Sequence, residues 1–161
     1  MFGSTAIEKI LAKASERAKV KVDEIVNVNV DVALSHENAN LVLKTFQTVG
    51  KNNVWDKNKI VIIFDHRVPA ESETTAEGQK NVRNFVRAQR IKNFYDINFG
   101  ICHQVLAEYG HVEPGKVIVG TDSHTTTHGA FGAFATGIGA TEMACVWATG
   151  KLWLKVPETV K

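Results

Sequence analysis

The sequence predicts an α/β fold, a three-layer α/β/α sandwich with a mostly parallel sheet. Three observations lead to this prediction. Segments with the two-residue period of strands alternate with segments that have the spacing of amphipathic helices. Residues 60–64 form a continuous, largely β-branched apolar run, which is typical of a strand covered on both faces. At 161 residues the chain suits one domain with a sizeable core.

The first third of the chain predicts a helix, a strand and a second helix. Thr5 and Glu8 form a capping-box pattern that opens a helix of about a dozen residues. Residues 26–32 alternate valine with polar or small residues, which indicates a strand with one face in water. Residues 38–50 predict a helix that begins at one of two asparagines and ends at a glycine.

The alternation continues to the end of the sequence. A capping pattern at residues 74–77 predicts the start of a helix whose last turn, residues 87–90, carries basic side chains that suit the helix dipole. The other predicted elements are strands at 60–64, 94–97, 116–120 and 152–157, and helices at 100–108 and 141–149.

The composition is that of an ordinary soluble globular protein. Apolar residues make up 44% and charged residues 22%, and 19 basic against 17 acidic residues give a net charge of +2 without a basic stripe, so we expect no nucleic-acid partner. No apolar run approaches the ~20 residues of a membrane-spanning helix, and the N-terminus does not resemble a secretory signal. We therefore expect a cytoplasmic protein with no membrane partner, in which Cys102 and Cys145 are free thiols.

Polar clusters follow three of the strand-like runs. Parallel sheets bind ligands outside the carboxyl ends of their strands, so three clusters in such positions indicate a functional site, although one alone would more often be a solvated turn. Histidine beside a carboxylate suits proton transfer near neutral pH. The clusters are Ser35-His36-Glu37, Asp65-His66 and Asp122-Ser123-His124.

Three further histidines lie outside those clusters. His103, on a predicted short helix, could join the site. His111 precedes a Pro-Gly turn and is expected to be an exposed loop residue. His128 fits either the start of a helix or the site, and it is left out of the predicted set.

The glycine-rich segment 129–139 has two interpretations. It could cradle a phosphate, or it could let a helix pack closely while backbone amides face an anionic ligand. The dinucleotide-binding pattern G-x-G-x-x-G is absent, because Glu142 stands at its last glycine position. The P-loop pattern is absent, because no Gly-Lys-Ser/Thr follows. Close packing with anion-facing amides is the better interpretation.

Three motifs resemble those of the aconitase superfamily, in the same order and with similar spacing. They are Phe-Asp-His at residues 64–66, Phe-Gly-Ile-Cys-His-Gln at 99–104 and Gly-Thr-Asp-Ser-His-Thr at 120–125. Thr126 and Thr127 stand where citrate-type aconitases usually carry Pro-Asn, so the chain looks more like the large subunits of the isopropylmalate isomerase and homoaconitase branch. The similarity covers essentially the whole sequence, but only the first third or so of such a subunit.

The resemblance implies a hydro-lyase that reversibly dehydrates a hydroxy acid with two or three carboxylates, such as 3-isopropylmalate. A [4Fe-4S] cluster would supply an iron that acts as a Lewis acid. The partners would be the small-molecule substrate, the rest of the large subunit and a separate small subunit, which supplies the serine base. The fold would be that of the first aconitase domain.

The resemblance also implies roles for individual residues. Asp65 and His66 would form the pair whose imidazolium protonates the departing hydroxyl. His103 and Asp122 would hydrogen-bond the iron-bound water or hydroxyl, and His124 would help to organise the same site.

Two more residues would bind the substrate carboxylates. Ser123 is one of them. His36 is the other, and it stands where the citrate branch has a carboxylate-binding glutamine.

The resemblance leaves this segment without metal ligands. The three cluster cysteines are expected beyond Lys161, and Cys102 and Cys145 are not their equivalents, since ligation needs three placed sulfurs. Residues 1–161 would thus be a single N-terminal domain or segment of a longer large subunit, and inactive when alone.

Two alternatives stay open. One is a stand-alone binding or assembly module that keeps the fold but does no chemistry. The other is a mononuclear metal hydrolase, which ranks lowest because a count of histidines and aspartates is less specific than the motif spacing. Its ligands would come from His36, Asp65, His66, His103 and Asp122.

Overall fold

The computed structural model describes residues 4–160. Its elements are, in chain order, α1 (Ala6–Ala14), β1 (Ile25–Asn29), β2 (Val32–Ser35), α2 (Ala39–Thr48), β3 (Ile60–Ile63), α3 (Glu73–Gln89), β4 (Asn93–Tyr95), α4 (Cys102–Glu108), β5 (Val117–Gly120), a 3₁₀ helix (Ser123–Phe131), β6 (Phe134–Gly137), α5 (Ala140–Thr149) and β7 (Lys151–Lys155).

A five-stranded sheet in the order β4-β3-β2-β5-β6 forms the centre of the molecule, and every pair of neighbouring strands in it is parallel. β3 shows how the sheet is covered. Ile60 and Ile62 pack into a core with α1, α2, α3 and α5, whereas Val61 and Ile63 face α4. Side chains alternate between the two faces of a strand, so a continuously apolar strand is buried on both sides. The predicted three-layer sandwich is confirmed.

Residues 26–32 do not form one strand, and that prediction was wrong. β1 pairs antiparallel with β7 in a separate two-stranded sheet, while β2 lies in the central sheet. The chain changes sheets at Asp31, whose amide donates to the carbonyl of Val117 at 2.9 Å and whose carboxylate accepts from the Val117 amide at 3.0 Å. Alternating valines give no signal for such a change of partner.

Two other predictions also needed correction. α3 begins before the predicted cap, because the side chain of Ser72 accepts the Thr75 amide at 3.2 Å. The glycine-rich segment contains a strand that was not predicted, β6, which completes the sheet beside β5. Gly137 within the strand and the glycines on either side of it hide the strand, since glycine has low β-propensity.

Helix ends follow the sequence more closely. The capping box of Thr5 and Glu8 is present at α1, and Asn38 precedes the first residue of α2. α5 ends at Gly150, whose φ of 70° is left-handed. Among residues 4–160, no helix combines the length and the apolar composition needed to cross a membrane.

Candidate active site

The strand order brings the three polar clusters to one edge of the sheet. β2 is central, and the chain adds β3 and β4 on one side of it before it adds β5 and β6 on the other. Ligands of open α/β sheets bind at the carboxyl ends of the strands where the order reverses in this way. His36 follows β2, Asp65 and His66 follow β3, and Asp122 follows β5.

Asp65 and His66 form the first carboxylate–imidazole pair. Oδ1 of Asp65 lies 2.6 Å from Nδ1 of His66, and Oδ2 accepts the Cys102 amide at the start of α4, also at 2.6 Å. Burial disfavours the imidazolium, but the hydrogen bond and charge of Asp65, with the charges of Asp122 and Glu37, raise the pKa of His66 above its usual value. The His66 side chain is 42% exposed, so this proton can reach a ligand.

Glu37 supports that pair, although the sequence did not single it out for a role. Its buried carboxylate accepts the amides of His66 at 3.1 Å and Arg67 at 3.0 Å, and so fixes the turn after β3. Burial opposes its ionisation, but the His36 ring, whose Nδ1 lies 3.6 Å from Oε2, and the hydrogen bonds from these amides outweigh it and lower the pKa of Glu37 to about 2. Its position next to His36 was the only available signal.

His36 connects the pair to a cavity. Its ring stacks on that of His66, with centroids 4.1 Å apart and planes inclined by 18°. A cavity of about 350 Å³ opens beside His36 and Arg67, between α2 and α3. This volume is within the range of small-molecule sites.

His103 and Asp122 form the second pair. Nε2 of His103 lies 2.6 Å from Oδ1 of Asp122, and Nδ1 of the exposed His124 lies 3.5 Å from the same oxygen. Burial would raise the pKa of Asp122, but hydrogen bonds from His103 and from His124 lower it to about 2. Ser123 is exposed at the first position of the 3₁₀ helix.

His128 contacts this second pair, although it was left out of the predicted site residues. It is fully buried, and its Nε2 lies 3.2 Å from Nδ1 of His103. Burial is the main cause that lowers the pKa of His128 to about 4, so it is neutral at pH 7. His111 was expected to be exposed; it is partly buried, and its Nε2 lies 2.6 Å from the hydroxyl of Tyr95.

Close backbone packing holds Asp122 in place. The Thr125 hydroxyl donates to the carbonyl of Asp122 at 2.6 Å and turns the chain into the 3₁₀ helix. A Cβ on Gly120 would overlap the Thr125 side chain, and one on Gly137 would lie 2.8 Å from the Asp122 carbonyl oxygen. Gly120 and Gly137 therefore serve close packing, while the anion-facing amides stay a prediction.

Cys102 lies between the two pairs. Its Sγ is within 4.8 Å of ligand atoms of Asp65 and His66, and also of His103 and Asp122. Burial above all, with the charges of Asp65 and Asp122, raises the pKa of this thiol far above its usual value.

The described residues do not supply the thiolates of an iron–sulfur cluster. Cys102 is a buried thiol in α4, whereas Cys145 is exposed on α5, on the opposite face of the sheet. Among residues 4–160, three groups have the ligand types and spacing for a single metal ion: His36-Glu37-His66, Asp65-His66-Cys102 and Cys102-His103-Asp122.

Comparison with known proteins points to one family. Residues 8–161 match the sequence model of the aconitase family (aconitate hydratase). The chain is 56% identical over 158 residues to a probable 3-isopropylmalate dehydratase large subunit of Methanothermobacter thermautotrophicus, covering 98% of this chain and 38% of that protein. It is 54% identical over 161 residues to 3-isopropylmalate dehydratase large subunit 1 of Methanopyrus kandleri, covering 99% and 38%.

A relative with another substrate name is almost as similar. The chain is 50% identical over 159 residues to a probable methanogen homoaconitase large subunit of Methanothermobacter thermautotrophicus, covering 96% of this chain and 37% of that protein. The chain thus spans well under half the length of these curated relatives.

Proposed function

Because the chain belongs to the aconitase family, we propose that it forms the N-terminal α/β domain of the large subunit of a hydro-lyase. The enzyme would reversibly dehydrate a hydroxy di- or tricarboxylic acid such as 3-isopropylmalate. Matches to dehydratase and homoaconitase large subunits at 50–56% identity support this class of substrate. The partner would be a small subunit, and the free thiols Cys102 and Cys145 suit a reducing, cytoplasmic location.

One observation carries the proposal. Two carboxylate–imidazole pairs lie at the same edge of the sheet, with Cys102 between them. They are Asp65–His66 and Asp122–His103. Dehydration needs a group that protonates the departing hydroxyl and fixed groups that hold the oxygen-rich substrate. The two pairs differ in a way that suits these tasks, since His66 is accessible and His103 is nearly buried.

In this proposal His66 is the general acid. Asp65 holds its Nδ1, so the proton that it gives comes from Nε2, and the raised pKa of His66 keeps its imidazolium populated to higher pH than in an ordinary histidine. Glu37 fixes the backbone of the turn, and the stacked ring of His36 restricts the orientation of the acid.

The remaining site residues bind and orient. Asp122 is ionised and held by His103, and it accepts a hydrogen bond from a hydroxyl of the substrate or from a bound water. His124 faces the same carboxylate. Ser123 and His36 bind substrate carboxylates, Ser123 from the start of the 3₁₀ helix and His36 from the mouth of the cavity. In the full-length protein a [4Fe-4S] cluster bound by other parts of the large subunit supplies the Lewis acid.

The test uses the full-length large subunit with its small subunit, assembled without oxygen. We expect absorbance from the unsaturated acid to appear with 3-isopropylmalate or homocitrate, and His66→Ala to reduce kcat on the order of 10²–10⁴-fold. Residues 1–161 alone should give no turnover. Turnover by this segment alone, or full activity of His66→Ala, would refute the proposal.

A further inference from the structure

The second pair continues into a third side chain that the proposed roles do not use. Asp122, His103 and His128 form a line of hydrogen-bonding atoms, with distances of 2.6 Å from Oδ1 of Asp122 to Nε2 of His103 and 3.2 Å from Nδ1 of His103 to Nε2 of His128. His128 is fully buried, so it cannot touch a substrate. Any effect it has on the site must pass through His103.

The carboxylate fixes one proton in this line. Asp122 is ionised, because its pKa is about 2, and an ionised carboxylate only accepts hydrogen bonds. The short contact therefore places a proton on Nε2 of His103. What remains open is whether Nδ1 of His103 is bare or also protonated, and its only neighbour in the line is Nε2 of His128.

The other nitrogen of His128 decides between the two states. Among residues 4–160 the buried Nδ1 of His128 has no hydrogen-bond partner. If Nδ1 of His103 carried a proton, Nε2 of His128 would have to accept it, and the proton of neutral His128 would sit on Nδ1, where it would be a buried donor without an acceptor. Buried unpaired N–H groups are rare because they lose their water hydrogen bond without replacement.

The opposite arrangement avoids that loss. With its proton on Nε2, His128 donates to a bare Nδ1 of His103, and only a lone pair of His128 is left without a partner. We propose that His128 is a positioning residue, which holds His103 neutral with its proton on Nε2, so that the Asp122–His103 pair keeps a net charge of −1.

The consequence for the reaction rests on the proposed function. A neutral His103 with both nitrogens engaged has no proton to give, so it does not compete with His66 as the acid. The negative charge on Asp122 stays available to hold a proton-bearing ligand. Loss of the His128 contact would let His103 become an imidazolium and neutralise the pair.

The experiment reads the protons directly. The full-length large subunit with its small subunit is labelled with ¹⁵N-histidine, and nitrogen shifts at neutral pH report which ring nitrogens carry protons; His103→Gln assigns the His103 signals. Three variants are compared. In His128→Gln the amide can reach the position of Nε2, in His128→Asn it cannot, and His111→Asn removes the partly buried histidine beside Tyr95, outside the site.

We expect a bare Nδ1 and a protonated Nε2 for His103 in the wild type, in His128→Gln and in His111→Asn. His128→Asn should protonate Nδ1 of His103 or mix its tautomers. In turnover, kcat of His128→Asn should fall roughly tenfold with little change in KM, and His128→Gln should recover most of it.

Two results would overturn the proposal. One is a wild-type His103 that is protonated on both nitrogens, which needs no variant to fold. The other is a folded His128→Asn whose His103 signals match the wild type. If no complex turns over any hydroxy acid, the proposed function fails, while the nitrogen shifts still decide the role of His128.

Discussion

Nδ1 of His66 lies 2.6 Å from Oδ1 of Asp65, which is the shortest link between an accessible imidazole and a carboxylate at the candidate site. The second oxygen of Asp65 is held by the Cys102 amide, so the carboxylate cannot turn away from the ring. The charge state of His66 therefore depends on the Asp65 carboxylate, which is held in place by the start of α4. This coupling makes the pH dependence of the site predictable.

Asp65→Asn should weaken the acid. The amide removes the charge and hydrogen bond that raise the pKa of His66, so its imidazolium is lost at lower pH and is scarcer at pH 7. In the full-length enzyme, the alkaline limb of kcat/KM should move to lower pH, and the rate at pH 7 should fall by at least about tenfold. Asp23→Asn is the control, since Asp23 pairs with Lys155 away from the site. An unchanged limb would contradict the role of Asp65.

The stability of the folded chain should show the same coupling. Because the pKa of His66 is raised on folding, its contribution is complete below about pH 6.5 and is lost as pH rises through the folded pKa. In Asp65→Asn this decline should be absent from urea denaturation curves measured from pH 6 to pH 9.

Glu37→Gln should destabilise the turn that carries His66. An ionised acceptor of two backbone amides becomes a neutral one, and the cost should be roughly 1–3 kcal/mol at pH 7. The pKa of Glu37 falls from 4.5 to about 2 on folding, so its stabilisation is present above pH 4.5 and lost as pH falls towards 2. The difference from wild type should shrink over that range. The exposed Glu158→Gln serves as control, and an equal loss there would count against the assignment.

Gly137→Ala should displace Asp122. Its methyl group would lie 2.8 Å from the Asp122 carbonyl oxygen and 3.1 Å from the Ser123 Cα, both backbone atoms. Overpacking of this kind costs typically about 1–3 kcal/mol, and the shift should also lower the affinity for substrate. Gly129→Ala is the matched control, because nothing lies within 4 Å of its added methyl group. Thermal unfolding of both variants decides the point, and equal melting temperatures would contradict it.

The sequence predicted most of the fold and the strand ends at which the polar clusters lie, because these depend on local patterns. The buried run at residues 60–64 and the cap at Thr5 are encoded by neighbouring residues, and the structure confirms both. The change of sheet at Asp31 depends on Val117, which is distant in sequence, so no local period reports it. The same holds for β6, whose one glycine, Gly137, is explained only by the neighbouring backbone of Asp122.

The contacts at the site also divide into those between neighbouring residues and those between residues distant in sequence. The pairing of Asp65 with His66 joins adjacent residues, but the partners of His103 come from an element some 20 residues later, and their contacts follow from the parallel order of β2, β3 and β5. The inward direction of His128 could not be read from residue type, since histidine is common both inside and outside. The roles of the predicted site residues stay predictions until the full-length enzyme is tested.

The loss of folding stability at acid pH should report the lowered pKa of His128. Its pKa falls from 6.5 to about 4 on folding, so between these values the unfolded chain binds a proton that the folded chain does not. Stability should therefore fall as pH is lowered from 6.5 to 4, by up to about 3 kcal/mol from this residue. His128→Gln removes the ionisable group, and its unfolding free energy should fall less over that range. The control is His124→Gln, because the His124 side chain is 80% exposed and is not buried on folding. If the curves for wild type and His128→Gln stay parallel from pH 6.5 to 4, then His128 is not held neutral by burial, and its partner His103 need not be neutral either.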